Sequence, residues 1–117
     1  MDSYRDLIVW KKAMELVTEV YRLVKYLPKE ETYALSDQMR RAAISVPSNI
    51  AEGFGRNAAK DYSRFLNIAR GSKYEVETQL LICIQLEYIS EKQAKPAMDL
   101  CDEIGKMLTS LISKLTP

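Results

Sequence analysis

Apolar residues recur every three or four positions along almost the whole chain, and strand-like alternation of apolar and polar residues is nowhere sustained. Such spacing places the apolar side chains on one face of an α-helix. Glycine and proline, which interrupt helices, number only four each in 117 residues. The pattern therefore predicts an all-α protein: a single domain over residues 1–117, in which four helices form an antiparallel up-down-up-down four-helix bundle.

The first predicted helix runs from about Asp6 to Leu27 and ends before Pro28. It carries two apolar stripes, about 110° apart on the helix surface. One stripe consists of Leu7, Trp10, Met14, Val17, Tyr21 and Val24, and the other of Val9, Ala13, Leu16, Val20, Leu23 and Leu27. Two stripes cover more surface than one bundle core needs. The alternative is that the extra stripe widens the core of the monomer.

The second predicted helix runs from about Ala34 to Arg56 and contains Pro47, in the segment SVPSNIAEG (45–53). An apolar stripe and a polar stripe keep their helical period across the proline, which favours one helix kinked at Pro47. A proline in a helix interior costs about 3 kcal/mol. The alternative is a new helix that begins at Pro47, with Val46 as a poor N-cap. The apolar stripe comprises Leu35, Met39, Ala42, Val46, Ile50 and Gly53.

The third predicted helix runs from about Ala58 to Tyr88, with Asn57 as its N-cap. The segment LLICIQL (80–86) is apolar around its whole circumference. Ser90 and Gln93 have the spacing of a capping box, and the fourth helix follows to about Leu115. The predicted core faces of these two helices are Tyr62, Phe65, Ala69, Ser72, Val76, Leu80 and Cys83, and Met98, Cys101, Ile104, Leu108, Leu111, Ile112 and Leu115.

Cysteine content and hydropathy indicate where the protein resides. Cys83 and Cys101 lie inside apolar helical patterns, which favours a reduced, buried pair over a disulfide. No apolar run approaches the roughly 20 residues that span a bilayer. The N-terminal MDSYRDLIVWKK does not resemble a signal peptide. We therefore expect a cytoplasmic protein without membrane contact.

The chain contains no histidine, which removes the commonest general base and the commonest metal ligand. Glu-x-x-His metal sites and Ser-His or Cys-His nucleophile pairs are thereby excluded within one chain. Carboxylates at Glu52, Glu75 and Glu77 could do acid–base work, but a structural role is favoured. We expect a polar seam between the second and third helices, formed by Gln38, Ser45, Asn49, Glu52 and Glu75. We predict no enzymatic activity, cofactor, metal or small-molecule substrate.

Charge is unevenly distributed, although the whole chain carries only +1. Residues 38–74 hold seven basic and two acidic residues, a net charge of +5. Such a concentration is typical of a phosphate-binding surface, and the alternative is a solvated face with some intersubunit salt bridges. The candidate nucleic-acid contacts are Arg40, Arg41, Arg56, Lys60, Arg64, Arg70 and Lys73. Among them Arg56, Lys60 and Arg64 are predicted to be the best exposed.

Four segments carry a resemblance to a known family: DLIVW (6–10), QMRRAA (38–43), SVPSNIAEG (45–53) and GSKYE (71–75). They resemble the four-helix-bundle family, also called the 23S ribosomal RNA intervening-sequence (S23) protein family. The run RRAA followed by NIAEG is quite specific to it, and the resemblance covers nearly the whole chain. The family is also similar to an accessory protein of diversity-generating retroelements, a basic pentameric bundle that binds nucleic acid and a reverse transcriptase.

The resemblance implies a ring-shaped homo-oligomer, a pentamer, and binding of RNA or DNA. The surplus apolar surface favours oligomerisation independently, and the expected interface residues are Val9, Leu16, Leu23, Leu81 and Ile84. We therefore predict a non-enzymatic homo-oligomer that binds RNA or DNA, or a nucleic-acid enzyme, through the basic residues of its second and third helices. The alternative is a protein–protein scaffold or adaptor without nucleic-acid contact.

Overall fold

The computed structural model of the protein describes residues 3–115, and the four predicted helices are confirmed. Helix α1 spans Ile8–Val24, α2 spans Leu35–Phe54, α3 spans Ala59–Gln85 and α4 spans Glu91–Leu115. Single-turn 3-10 helices, Tyr4–Asp6 and Lys29–Glu31, precede α1 and α2. Residues 3–115 contain no β-strand, and none of their helices combines the length and apolarity needed to cross a membrane.

Each helix packs against the next one in the chain, and α1 also packs against α4, which closes the bundle. Helices α2 and α3 run antiparallel, since Ser45 contacts Ser72 while Gly53, farther along α2, contacts Phe65, earlier on α3. The buried residues of all four helices form a single hydrophobic core. The architecture is therefore a compact all-α bundle, as the apolar periodicity predicted.

Helix α1 places its compact apolar residues in the core and its larger ones outside. Val9, Leu16 and Leu23 are at most 5% exposed, whereas Met14 and Tyr21 are 44% and 40% exposed. The expectation that Val9, Leu16 and Leu23 face a neighbouring subunit is therefore corrected: their side chains are covered within the chain itself. Small branched aliphatic side chains fill a close-packed interior well, while Tyr21 keeps its hydroxyl near water.

Pro47 lies inside a continuous α2, so a separate helix starting at Pro47 is not what the chain forms. Proline donates no backbone hydrogen bond, and α2 therefore lacks one bond to the carbonyl of Ala43. On either side of it, Val46 and Ile50 are fully buried in the core. Burial of an apolar helix face supplies most helix stability in proteins, and here it keeps α2 helical through the proline.

The two predicted N-caps have opposite outcomes. At α4 the capping box is confirmed: the Gln93 N–H donates to Ser90 Oγ at 3.0 Å, and the Ser90 N–H donates to Gln93 Oε1 at 2.9 Å. At α3 the N-cap is Ala58, which has no side-chain hydrogen bond to offer. Asn57 is not the cap because it lies one residue too early to reach the first free N–H groups.

Candidate functional site

Three exposed basic residues gather where α2 ends and α3 begins. We call Arg56, Lys60 and Arg64 the hairpin cluster. Arg56 follows the last turn of α2, and Lys60 and Arg64 occupy the first two turns of α3. All three side chains are exposed. The short connection between the two helices brings them to one end of the bundle. The prediction that these three are the best exposed candidates is wrong for Arg56, whose side chain is 45% exposed, whereas that of Arg41 is 79% exposed.

Two arginines of the hairpin cluster contact one aromatic ring. The guanidinium carbons of Arg56 and Arg64 lie 4.8 and 4.6 Å from the centroid of the Phe65 ring. Each such contact stabilises an exposed cation by about 0.5–1 kcal/mol. Arg56 also approaches Glu52 at 3.8 Å, an exposed pair of the kind that contributes little. Two exposed and only weakly neutralised positive charges therefore contact the same ring.

Helices α2 and α3 approach each other closely at Gly53. A Cβ atom on Gly53 would lie 2.8 Å from the Cβ of Phe65 and 3.0 Å from Cδ1 of Tyr62. Real Cβ atoms do not approach so closely, so only glycine lets α2 meet α3 here. The contact fixes Phe65, which is 9% exposed, beneath the two guanidinium groups.

Arg40 and Arg41 do not join the hairpin cluster. They lie toward the other end of α2, where Arg40 donates to the carbonyl of Thr32 at 3.5 Å and Arg41 donates to Asp37 at 3.0 Å. These two residues are separate surface cations and do not extend the cluster.

Lys73 was predicted to contact nucleic acid, and the structure corrects this because the residue is 5% exposed. Its Nζ donates to Glu77 Oε1 at 2.8 Å and lies 3.7 Å from the centroid of the Tyr74 ring. The side chain crosses Gly105 of α4, where an added Cβ would come within 2.8 Å of Nζ. Two features of the sequence could have indicated this burial: Glu77 follows Lys73 at i+4, and Gly105 interrupts the helical pattern of α4.

The centre of the predicted polar seam is present between α2 and α3. The hydroxyl oxygens of Ser45 and Ser72 are 2.8 Å apart, and Asn49 Nδ2 donates to both the carbonyl and the hydroxyl of Ser45, at 2.8 and 2.9 Å. These bonds satisfy half-buried polar groups where two helices meet. Ser72 had been assigned to the apolar face of α3, yet it supplies the hydroxyl that completes the network.

The outer members of the predicted seam do not bridge the helices. Gln38, Glu52 and Glu75 are exposed. Glu75 receives a 3.5 Å hydrogen bond from Nε2 of Gln79, one turn along the same helix. Gln79 itself is buried, and its Oε1 has no hydrogen-bond partner in residues 3–115. The seam is thus narrower than predicted.

A groove of about 640 Å³ lies between α3 and α4, next to Lys73, and sequence reasoning missed it. Most of its lining residues have polar side chains: Lys73, Tyr74, Glu77, Asp102, Gly105, Lys106, Thr109, Ser110 and Ser113. Arg70, another predicted nucleic-acid contact, borders the groove and donates to Thr109 at 3.2 Å. The signal that could have revealed it is the run of polar residues at helical spacing on α4.

Apolar side chains remain exposed on two separate parts of the surface. The first is the α1–α2 groove, about 320 Å³, lined by Tyr4, Trp10, Met14, Val17, Ile44, Pro47, Ser48 and Ala51. The second is the α3 apolar face, formed by Leu81, Ile82 and Leu86, which are 54%, 40% and 49% exposed. Of the predicted interface residues on α3, Leu81 is exposed and Ile84 packs partly against the core.

Neither cysteine is suited to nucleophilic chemistry. Cys83 and Cys101 are free thiols in the core, as predicted. Burial raises the pKa of Cys83 to about 11 and that of Cys101 to about 12, so both remain protonated at neutral pH, where the thiolate is the reactive form. Within the described residues, no three acidic or cysteine side chains are grouped to hold a metal ion.

Comparison with known proteins places this arrangement in a family. The sequence matches the family described as 23S rRNA-intervening sequence protein over residues 5–110. The fold is similar to a crystal structure of a protein with unknown function from the S23 ribosomal protein family of Bacteroides thetaiotaomicron VPI-5482. The two chains are 31% identical with a TM-score of 0.82, over 90% of this chain and 98% of that one. Comparison with curated proteins gave no match. The chain belongs to the 23S rRNA-intervening sequence protein family.

Proposed function

We propose that this protein is a non-enzymatic helical bundle that assembles into a ring of identical subunits and binds RNA or DNA through the hairpin cluster. The ring of five subunits suggested by the family resemblance is part of this proposal. The observation that carries the nucleic-acid function is the pair of guanidinium groups held over the Phe65 ring.

The hairpin cluster has the features that favour phosphate binding. Guanidinium groups form two parallel hydrogen bonds to a phosphate, and stacking on an aromatic ring reduces the rotamer freedom lost on binding. Lys60 adds a third exposed cation on the first turn of α3. Phosphate contacts depend on charge and not on base sequence, so this surface is suited to binding the backbone of many nucleic acids.

The assembly is supported by the separation of the two exposed apolar surfaces. The α1–α2 groove and the α3 apolar face differ in shape and in composition. If one surface of each copy packs against the other surface of the next copy, the contact is head-to-tail, and such contacts form a ring when the rotation between copies closes. A ring of this kind would repeat the hairpin cluster around its circumference, so that several weak phosphate contacts act together.

A binding titration with a short RNA and a short DNA at several salt concentrations tests this function, after light scattering has given the mass of the assembly. We expect Arg56→Ala with Arg64→Ala to weaken binding about tenfold or more. The magnitude of the slope of log affinity against log salt should fall by about 1–2, because fewer counterions are released from the nucleic acid when two phosphate contacts are lost. The matched control is Arg22→Ala with Lys25→Ala, which removes two exposed charges from the α1 end.

Equal slopes for the two double variants, or no binding by the wild type at low salt, would rule out the proposed nucleic-acid function. A monomeric mass at micromolar concentration would rule out the proposed assembly.

A second function is favoured by one observation, the exposed apolar lining of the α1–α2 groove. A scaffold protein would use this groove to dock an apolar helix or loop of another protein. Apolar contacts persist as salt rises, whereas phosphate contacts weaken. A partner complex whose affinity does not change between low and high salt would favour this second function.

A further inference from the structure

Within residues 3–115, Lys73 is the one formally charged side chain that the fold encloses almost completely. Removing an ammonium group from water is costly, and a single ion pair does not reliably offset that cost. An apolar residue such as methionine would fill the same space between α3 and α4. Stability alone therefore does not explain a lysine here, and residues that break the rules of core composition are often functional.

The protein leaves part of the bonding capacity of this ammonium unused. An ammonium group carries three donors. Glu77 Oε1 accepts one of them at 2.8 Å, and the face of the Tyr74 ring lies 3.7 Å from Nζ. Residues 3–115 offer Nζ no second acceptor oxygen. At least one N–H can therefore be donated to a molecule that enters the adjoining groove.

The rest of the α3–α4 groove carries several hydrogen-bond donors. Helix α4 turns a stripe of polar residues toward it, and Gly105 in that stripe has no side chain to separate Lys73 from the groove. The donors at the groove are the ammonium groups of Lys73 and Lys106, the guanidinium of Arg70 at its border, and the hydroxyls of Thr109, Ser110 and Ser113.

The charges at the groove favour an anion. The lining holds two lysines, Lys73 and Lys106, and two carboxylates, Glu77 and Asp102, of which Glu77 is already engaged by Lys73. Arg70, which reaches the border of the groove through Thr109, adds a third cation. A phosphate or carboxylate group accepts several charge-assisted hydrogen bonds at once, which this set of donors can supply. The volume of about 640 Å³ suits a small molecule.

We propose that the α3–α4 groove binds the oxyanion group of a small molecule, a phosphate or a carboxylate, through Lys73 and Lys106 with support from the hydroxyls of α4. The site is distinct from the hairpin cluster and independent of the nucleic-acid function. A nucleic-acid backbone lies on exposed cations, whereas Lys73 is only 5% exposed and lines the groove.

Residue-resolved NMR titration of the full chain tests the site, with inorganic phosphate and with acetate as separate probes at constant ionic strength. We expect saturable shifts of backbone amides in residues 102–113. The probe that binds more tightly identifies the class of oxyanion. Phosphate-induced shifts confined to the hairpin cluster, or no saturable shift at the groove with either probe, would overturn the proposal.

Two variants separate an ion site from general electrostatics. Glu77→Gln removes the internal anion that competes for Lys73, and we expect it to bind the probe more tightly than the wild type. Adding Lys73→Met to it removes the ammonium without leaving an unpaired carboxylate, and should weaken binding about tenfold or more relative to Glu77→Gln. Equal affinity of the single and the double variant would contradict the site.

A third variant guards against loss of folding in the double variant. Lys106→Met changes an exposed side chain that the core does not use, and we expect it to weaken binding of the probe several-fold. Its matched control is Lys95→Met, an exposed lysine of the same helix outside the groove. Equal affinities of these two variants would also overturn the proposal.

Discussion

Helix α3 meets a glycine on each of its two sides, and the two contacts are alike in distance but different in kind. On the α2 side, a Cβ on Gly53 would lie 2.8 Å from the Cβ of Phe65. On the α4 side, a Cβ on Gly105 would lie 2.8 Å from Nζ of Lys73. The first neighbour is fixed to the backbone, and the second is the end of a long, flexible side chain.

The difference assigns separate roles to the two interfaces. At Gly53 a larger residue has to move a whole helix, so the contact sets the distance between α2 and α3. At Gly105 a larger residue only has to displace the end of Lys73, so the contact positions a side chain and not a helix. The α2–α3 interface thus has a structural role beneath the hairpin cluster. The α3–α4 interface instead holds the Lys73 side chain beside a groove.

The largest effect is expected for Gly53→Ala. The added methyl group has no space against Phe65 and Tyr62, and such overpacking costs about 1–3 kcal/mol, partly offset by the better helix propensity of alanine. We expect a net loss of about 1–2 kcal/mol in the free energy of unfolding, measured by urea denaturation. Gly71→Ala is the matched control, since nothing lies within 4 Å of its added Cβ, and it should stabilise by up to about 1 kcal/mol.

A stability for Gly53→Ala equal to that of Gly71→Ala would show that α2 and α3 are not held as closely as described.

An intermediate effect is expected in the polar seam of the same interface. Ser72→Ala removes one half-buried hydrogen bond and should cost about 1 kcal/mol. Ser45→Ala should cost more, because it leaves both Ser72 and Asn49 without their hydroxyl partner. Urea denaturation of the two single variants and the double variant gives the coupling energy, which we expect at about 0.5–1 kcal/mol. Additive losses would contradict a direct Ser45–Ser72 bond.

The smallest effect on stability is expected for Gly105→Ala. Alanine gains about 1 kcal/mol in helix propensity, and displacement of Lys73 from Glu77 offsets part of that gain. We expect a change in the free energy of unfolding within about 1 kcal/mol of zero, from the same urea measurement. A loss as large as that of Gly53→Ala would mean that α4 is held to α3 as tightly as α2 is, and would remove the contrast between the two interfaces.

The helices and most of the core could be predicted because apolar periodicity within one helix depends only on that helix. Met39, Val46 and Ile50 are buried where the 3.6-residue period placed them. The choice between the two stripes of α1 could not be made this way, since it depends on which neighbours surround the helix.

The candidate sites were predicted in part, for the same reason. The exposure of the hairpin cluster follows from its position at a helix–helix connection. The burial of Lys73 depends on Gly105, 32 positions later in the chain. Which residues of α4 lie opposite Lys73 is set by tertiary packing, which the local sequence pattern does not show. Charge counting treats every lysine as a surface residue, and so it included Lys73 among the nucleic-acid contacts.

The enclosed, protonated thiols of Cys83 and Cys101 have a practical consequence for spectroscopy. Maleimide dyes and nitroxide spin labels react with accessible thiolates. A single cysteine introduced at an exposed helix position should therefore be modified selectively while both native residues stay in place. Distances between fluorophores or electron spins can then be measured in the folded protein without first disturbing its interior.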